Sequence, residues 1–102
     1  MQLQKFRWSK VYESSEEELV QLLEAQDIKA ERWQAEEFHD FGGQSFQQDT
    51  TIWCADGSLT MTFAEKKFSM QPGDGLWIPA NYAFNAVAGM SGCTCYEYSG
   101  PH

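Results

Sequence analysis

The sequence predicts an all-β fold, a small antiparallel β-barrel carrying one α-helix near its start. Three observations predict it. Apolar runs are short and punctuated by turn residues every 8–12 positions, the rhythm of small sandwiches and barrels. Met70–Ala88 packs Pro72-Gly73-Asp74-Gly75, Leu76-Trp77-Ile78, Pro79 and Phe84-Asn85-Ala86-Val87-Ala88 into a turn, a strand, a corner and a strand. One segment alone, after Ser15, has helical periodicity.

Taken in order, residues 1–13 mix basic and aromatic side chains, and the alternation around Val11 allows a short edge strand that could pair with a second copy. Ser15 and Glu18 form a capping box, and Glu16, Glu17 and Glu18 suit the positive end of a helix. Leu19, Leu22, Leu23 and Gln26 share one side, so the helix is amphipathic and runs to about Ala25. Ile28–Ala35 reads as a strand, Glu36–Gly43 as a loop, and Gln44–Cys54 as a strand with a break near Gln48-Asp49. Ala55-Asp56-Gly57-Ser58 has the chemistry of a hairpin turn, because Asp-Gly accepts positive φ. Leu59–Phe63 is the returning strand and Ala64–Lys67 the next turn. Phe68–Met70 leads into Pro72-Gly73, where proline presets φ and glycine accepts its positive value. Pro79 ends Leu76–Ile78, since proline gives no N–H to a ladder. Phe84–Gly92 and Cys93–Tyr98 are the last two strands. The expected organisation is one structural domain, with 1–27 a strand and helix packed on a barrel formed by 28–102.

At 102 residues the chain buries roughly two-thirds of its unfolded surface. An apolar fraction of 42% and an aromatic fraction of 15% exclude a disordered chain. A net charge of −8, with most acids in the first forty residues, argues against nucleic-acid binding, since phosphates would be repelled. No apolar run is long enough for a membrane helix, and the first ten residues lack the apolar core of a signal peptide. The expected location is the cytoplasm. Cys54, Cys93 and Cys95 are an odd number without the two-residue spacer of zinc knuckles. Structural thiols are the first reading, with metal binding or a regulatory disulfide as the others.

The run from Gly73 to Ala88 resembles the second conserved motif of the cupin superfamily, G-x5-P-x-G-x2-H-x3-N. Gly73 and Pro79 fall in place, Asn81 stands for the second glycine, Phe84 for the metal-binding histidine and Ala88 for the asparagine. Residues 52–80 are also similar to a small cupin in their order of strands and turns. The resemblance implies a cupin-like jelly-roll barrel, and small cupins commonly form homodimers. It also implies a first motif, G-x5-H-x-H-x3,4-E-x6-G. With Gly57 as its final glycine, the glutamate position holds Thr50 and the histidine positions hold Gln44 and Phe46, or Gly43 and Ser45. All four expected ligand positions lack an imidazole or carboxylate, the donors that a catalytic divalent ion needs. No cofactor is expected.

Strand alternation puts Gln44, Phe46, Gln48, Thr50, Ile52 and Cys54 on one face, which by the resemblance is the barrel interior, and Phe84, Ala86 and Ala88 join them. Either the rings fill the barrel and the amides sit at its mouth, or the aromatics line a pocket in which Gln44, Gln48 and Thr50 orient a small neutral ligand. A third reading builds an unorthodox metal site from His39, Cys54, Cys95 or Gln44. His39 reads as a loop residue and His102 as terminal. No acidic residue falls on the inward face of the mid-barrel strands. Asp49 points outward, and Asp74 holds its own turn. Trp53 and Trp77 have outward parity, which calls for a second layer, the N-terminal helix or another subunit. The expected function is a metal-free, non-catalytic cupin-like protein that binds a small molecule or serves structurally, and acts as a homodimer. The alternatives are a metal-dependent dioxygenase or isomerase using other ligands, and an interaction module working through the outer tryptophans and the acidic helix.

Overall fold

The computed structural model describes residues 3–8, 15–64 and 66–99. Val11 and His102, which the sequence reading singles out, lie outside the described residues. Among the described residues seven strands and one helix follow in the order β1 (Gln4–Arg7), α1 (Glu16–Ala25), β2 (Glu31–Ala35), β3 (Asp40–Gln44), β4 (Thr50–Thr62), β5 (Lys67–Met70), β6 (Asp74–Ile78) and β7 (Phe84–Ser99).

The architecture is built on β4 and β7, which pair antiparallel from Thr50↔Ser99 to Thr62↔Asn85. Each long strand serves two half-sheets. The first half of β4 pairs with β6 and its second half with β5. The first half of β7 pairs with β3 and its second half with β2. β1 completes the larger half-sheet by pairing with β6. The ladder runs β1-β6-β4-β7-β2, with β3 and β5 as side branches. This is a jelly-roll-like sheet folded over on itself. It is the antiparallel jelly-roll-like fold with one helix that the sequence predicts, its path open rather than closed into a barrel.

The fold-over explains one correction. The sequence places a hairpin at Asp56-Gly57 and a strand end at Gly89–Gly92, yet both lie inside continuous strands. The β4/β7 pairing shifts register between Cys54/Asp56 and between Gly57/Leu59, the irregularities of β-bulges. Gly57 and Gly92 take φ of 69° and 73° there. A Cβ on Gly57 would run into the Gly92 carbonyl, and one on Gly92 into the Ala35 carbonyl. The Asp-Gly turn chemistry is therefore used to bend a strand rather than to reverse it. One smaller correction follows, in that the expected loop 36–43 contains most of β3. The break expected near Gln48-Asp49 is present and wider, running between Gln44 and Thr50.

The bend creates an inside and an outside. Inside, Ile52, Cys54, Leu59, Met61, Met70, Leu76, Ile78 and Cys95 form one apolar cluster between the two halves. Outside, α1 lays Leu19 and Leu23 over Trp53, Ala55 and Tyr96. Ser15 caps α1, its hydroxyl accepting the Glu18 N–H at 3.2 Å. Trp53 is 5% exposed, so the second layer that its outward parity calls for is the helix. Each fully buried aliphatic side chain contributes roughly 1.5–3 kcal/mol. The Pro79 corner matches its sequence reading. Asn81 has a φ of 62°, the conformation for which Asn can replace glycine. Its N–H donates to the Phe46 carbonyl at 2.7 Å. Asp49 Oδ1 accepts the Ala80 N–H at 2.9 Å, and Asp74 Oδ2 accepts the Gln71 N–H at 3.0 Å.

Candidate functional site

A cavity of about 260 Å³ lies between the inner faces of the half-sheets. β4 supplies Ile52, Leu59 and Met61, and β7 supplies Phe84, Ala86 and Glu97. β2 supplies Trp33 and Gln34, β3 supplies Phe41 and Gln44, and the loop before β4 supplies Phe46. The walls are aromatic and aliphatic. Trp33 and Phe41 meet edge to face with centroids 5.4 Å apart, and Phe46 and Phe84 pack at 5.4 Å with a tilt of 35°. On the open side beyond Gln44 and Phe84 lies a more polar groove bordered by Ser45, Thr62 and Asn85.

Of the residues that the sequence places inside, the structure brings Gln44, Phe46, Ile52, Phe84 and Ala86 together on this cavity. Gln48, Thr50 and Cys54 do not line it: the strand stops at Gln44 and resumes at Thr50, which leaves Gln48 in a loop, whereas Thr50 and Cys54 keep the parity of Ile52 on β4 and lie to either side of it. Gln48 is exposed in the intervening loop. Thr50 is fully buried, its hydroxyl 2.9 Å from the Gln48 carbonyl and 3.1 Å from Ser99 Oγ. Cys54 stands opposite Cys95 in the core. The Cys54 and Cys93 thiols, and then burial, push the Cys95 thiol far up, whereas the Cys95 thiol beside Cys93 draws Cys93 down. Gln44 is engaged locally, its amide donating to the Phe41 carbonyl at 2.8 Å.

Sequence reasoning missed Trp33, Gln34, Phe41, Leu59, Met61 and Glu97. Leu59 and Met61 alternate on the far side of the supposed hairpin, and Cys93, Cys95 and Glu97 alternate along β7. Following those parities through the bends would have found them. Glu97 matters most, since it is the acid on the cavity that the mid-strand parity did not reach. Burial raises its carboxyl above the ordinary value, and the Glu31 charge directly opposite raises it further. The nearby Trp33 indole N–H offsets part of this. Trp33 Nε1 is itself buried and short of a full hydrogen bond among the described residues.

The donors present do not fit a divalent-ion site of cupin type. The positions in question hold an amide already bonded to backbone, a threonine hydroxyl at the end of a strand and two phenylalanine rings. Among the described residues no three His, Cys, Asp or Glu side chains come together in a way that could hold a metal. His39 is exposed on the β2–β3 loop, its ring edge-on to Phe41 at 4.6 Å.

No protein-family model matches the chain, and no curated protein matches it. Solved structures do. A cupin superfamily protein from Desulfitobacterium hafniense DCB-2 superimposes with a TM-score of 0.61 at 15% identity, over 96% of this chain and 76% of its own. A DUF861 family protein from Thermotoga maritima gives 0.67 at 11% identity, over 97% and 100%. A cupin-2 domain containing protein from Shewanella frigidimarina NCIMB 400 gives 0.62 at 16% identity, over 94% and 83%. The chain has a cupin-type fold. Among the described residues, no helix is long and apolar enough to cross a membrane.

Proposed function

From a cupin-type fold whose expected ligand positions carry no metal donors, we propose a metal-free, non-catalytic protein that binds a compact small molecule between its half-sheets. One observation carries this reading: a preformed cavity of about 260 Å³ with apolar walls and few polar groups, Gln34, Gln44 and Glu97. Small-molecule sites have this composition, and a volume under the usual range of roughly 300–1,000 Å³ restricts the occupant to a small one. The amide and hydroxyl donors at the motif positions support a site without a metal. We propose further that the protein is a homodimer. β1 lies at the end of the sheet with Phe6 exposed, a surface suited to a second copy.

The binding reading is tested by thermal shift against a library of compact, mostly apolar compounds, using wild type and Ala86→Leu. Ala86 borders the cavity and is 4% exposed, so leucine projects into the empty space. Stabilising compounds should lose their effect in the variant, and hits that ignore it would sink the proposal. Elemental analysis of protein purified without an affinity tag should find no stoichiometric iron, manganese, nickel or zinc. Light scattering should give twice 11.7 kDa at micromolar concentration.

A further inference from the structure

We propose that the cavity takes a small organic cation, an amine or quaternary ammonium, held between the Glu97 carboxylate and the rings of Trp33, Phe41, Phe46 and Phe84. This rests on the reading of the cavity as a binding site and replaces the neutral ligand expected from the sequence.

The argument is one of charge left unmet. Glu97 lines the cavity beside four aromatic rings. Among the described residues the ion pairs are Lys5–Asp74, Arg7–Asp74 and Arg32–Glu16, and none reaches Glu97. Arg32, a near neighbour in β2, turns to Glu16 on the opposite face. The group facing Glu97 across the β2–β7 ladder is another acid, Glu31, while Ile52 of β4 is opposite on its other side. Among the described residues, no lysine, arginine or histidine lines the cavity.

A half-buried carboxylate with no cationic partner among the described residues and a like charge opposite is unfavourable, and the Trp33 indole N–H offsets only part of this. A cation in the cavity relieves both terms and gains the attraction of ring faces, which is largest where water is displaced. An anion meets the Glu97 carboxylate, with the Glu31 charge behind it on β2, and no positive group among the described lining residues. A neutral guest leaves Glu97 as it is. The raised Glu97 carboxyl is what this arrangement should produce without the cation. A net charge of −8 also favours approach of a cation from solution.

Calorimetric titration with choline and with its uncharged carbon isostere, 3,3-dimethyl-1-butanol, tests this. The two have nearly the same shape and differ in charge. Choline should bind at least about tenfold more tightly, a difference of about 1.4 kcal/mol. Glu97→Gln, a near-isosteric change at a half-buried position, should erase the preference. Phe46→Leu, which keeps apolar volume and removes a ring, should weaken choline and leave the isostere unchanged. Equal binding of the two probes would overturn the cation assignment while leaving the cavity a binding site. Binding of neither, or binding of both unaffected by Ala86→Leu, would overturn the assignment and the binding reading together. Choline binding that survives Glu97→Gln would remove the role given to Glu97.

Discussion

The two faces of the larger half-sheet are built from the same strands and treated in opposite ways. On the outer face Trp53, Ala55 and Tyr96 are sealed beneath Leu19 and Leu23 of α1. A carboxylate there, Glu16, accepts hydrogen bonds from Arg32 and from the Tyr96 hydroxyl. On the inner face, Ile52 and Glu97 border open space, and the carboxylate faces Glu31. One face spends its polar groups on closing the structure. The other keeps a void and an acid with no cationic partner among the described residues, both of which lower stability, and such features persist where a guest is to complete them.

Truncation should separate the faces most strongly. Leu19 is fully buried, and Leu19→Ala should cost about 2–5 kcal/mol. Phe46 is the larger side chain but is half-buried beside a void, so Phe46→Ala should cost less than Leu19→Ala in chemical denaturation. The reverse order would mean that the inner face is as tightly packed as the outer. A smaller effect comes from adding volume. Ala55 and Ala86 are both buried, on the sealed face and on the cavity. Ala55→Leu should cost about 1–3 kcal/mol through overpacking, and Ala86→Leu distinctly less because its new atoms fill existing space. Equal costs would argue that the cavity closes in solution.

The sealed face was the more legible in the sequence. Helix α1 announces itself through Ser15, Glu18 and the Leu19/Leu23 spacing, and outward parity already places Trp53 under a second layer. The Pro79–Asn81 corner was equally readable, because its chemistry is local. The cavity was legible only in part. Gln44, Phe46, Ile52, Phe84 and Ala86 were found from motif spacing and alternation. The other lining residues depend on bends at Gly57 and Gly92 that carry strands from one half-sheet into the other. A glycine at positive φ marks a hairpin and a bulge alike, and only the carbonyl packed against it decides between them. Glu97 belongs to this second group. Its importance comes from Glu31 and Trp33, more than sixty residues earlier, which no local pattern reports.

The two carboxylates give the smallest effect, and one with opposite signs. The hydrogen bond from Arg32, and then that from Tyr96, hold Glu16 below the ordinary carboxylate value. Its contribution to stability is therefore present above that ordinary value, roughly 4.3, and is lost as pH falls through the lower folded value. Burial, and then Glu31, raise Glu97, so its contribution is present below the ordinary value and is lost as pH rises through the higher folded one. Glu16→Gln should thus destabilise at neutral pH, by less than about 1 kcal/mol given solvent screening, and match wild type in acid. Glu97→Gln should stabilise at neutral pH and also converge on wild type in acid. Urea unfolding of the three proteins at pH 7 and below pH 4 reads both differences. If Glu97→Gln lowers stability at pH 7 as Glu16→Gln does, then Glu97 already has a favourable partner within the protein, and the contrast between the faces fails at its most specific point.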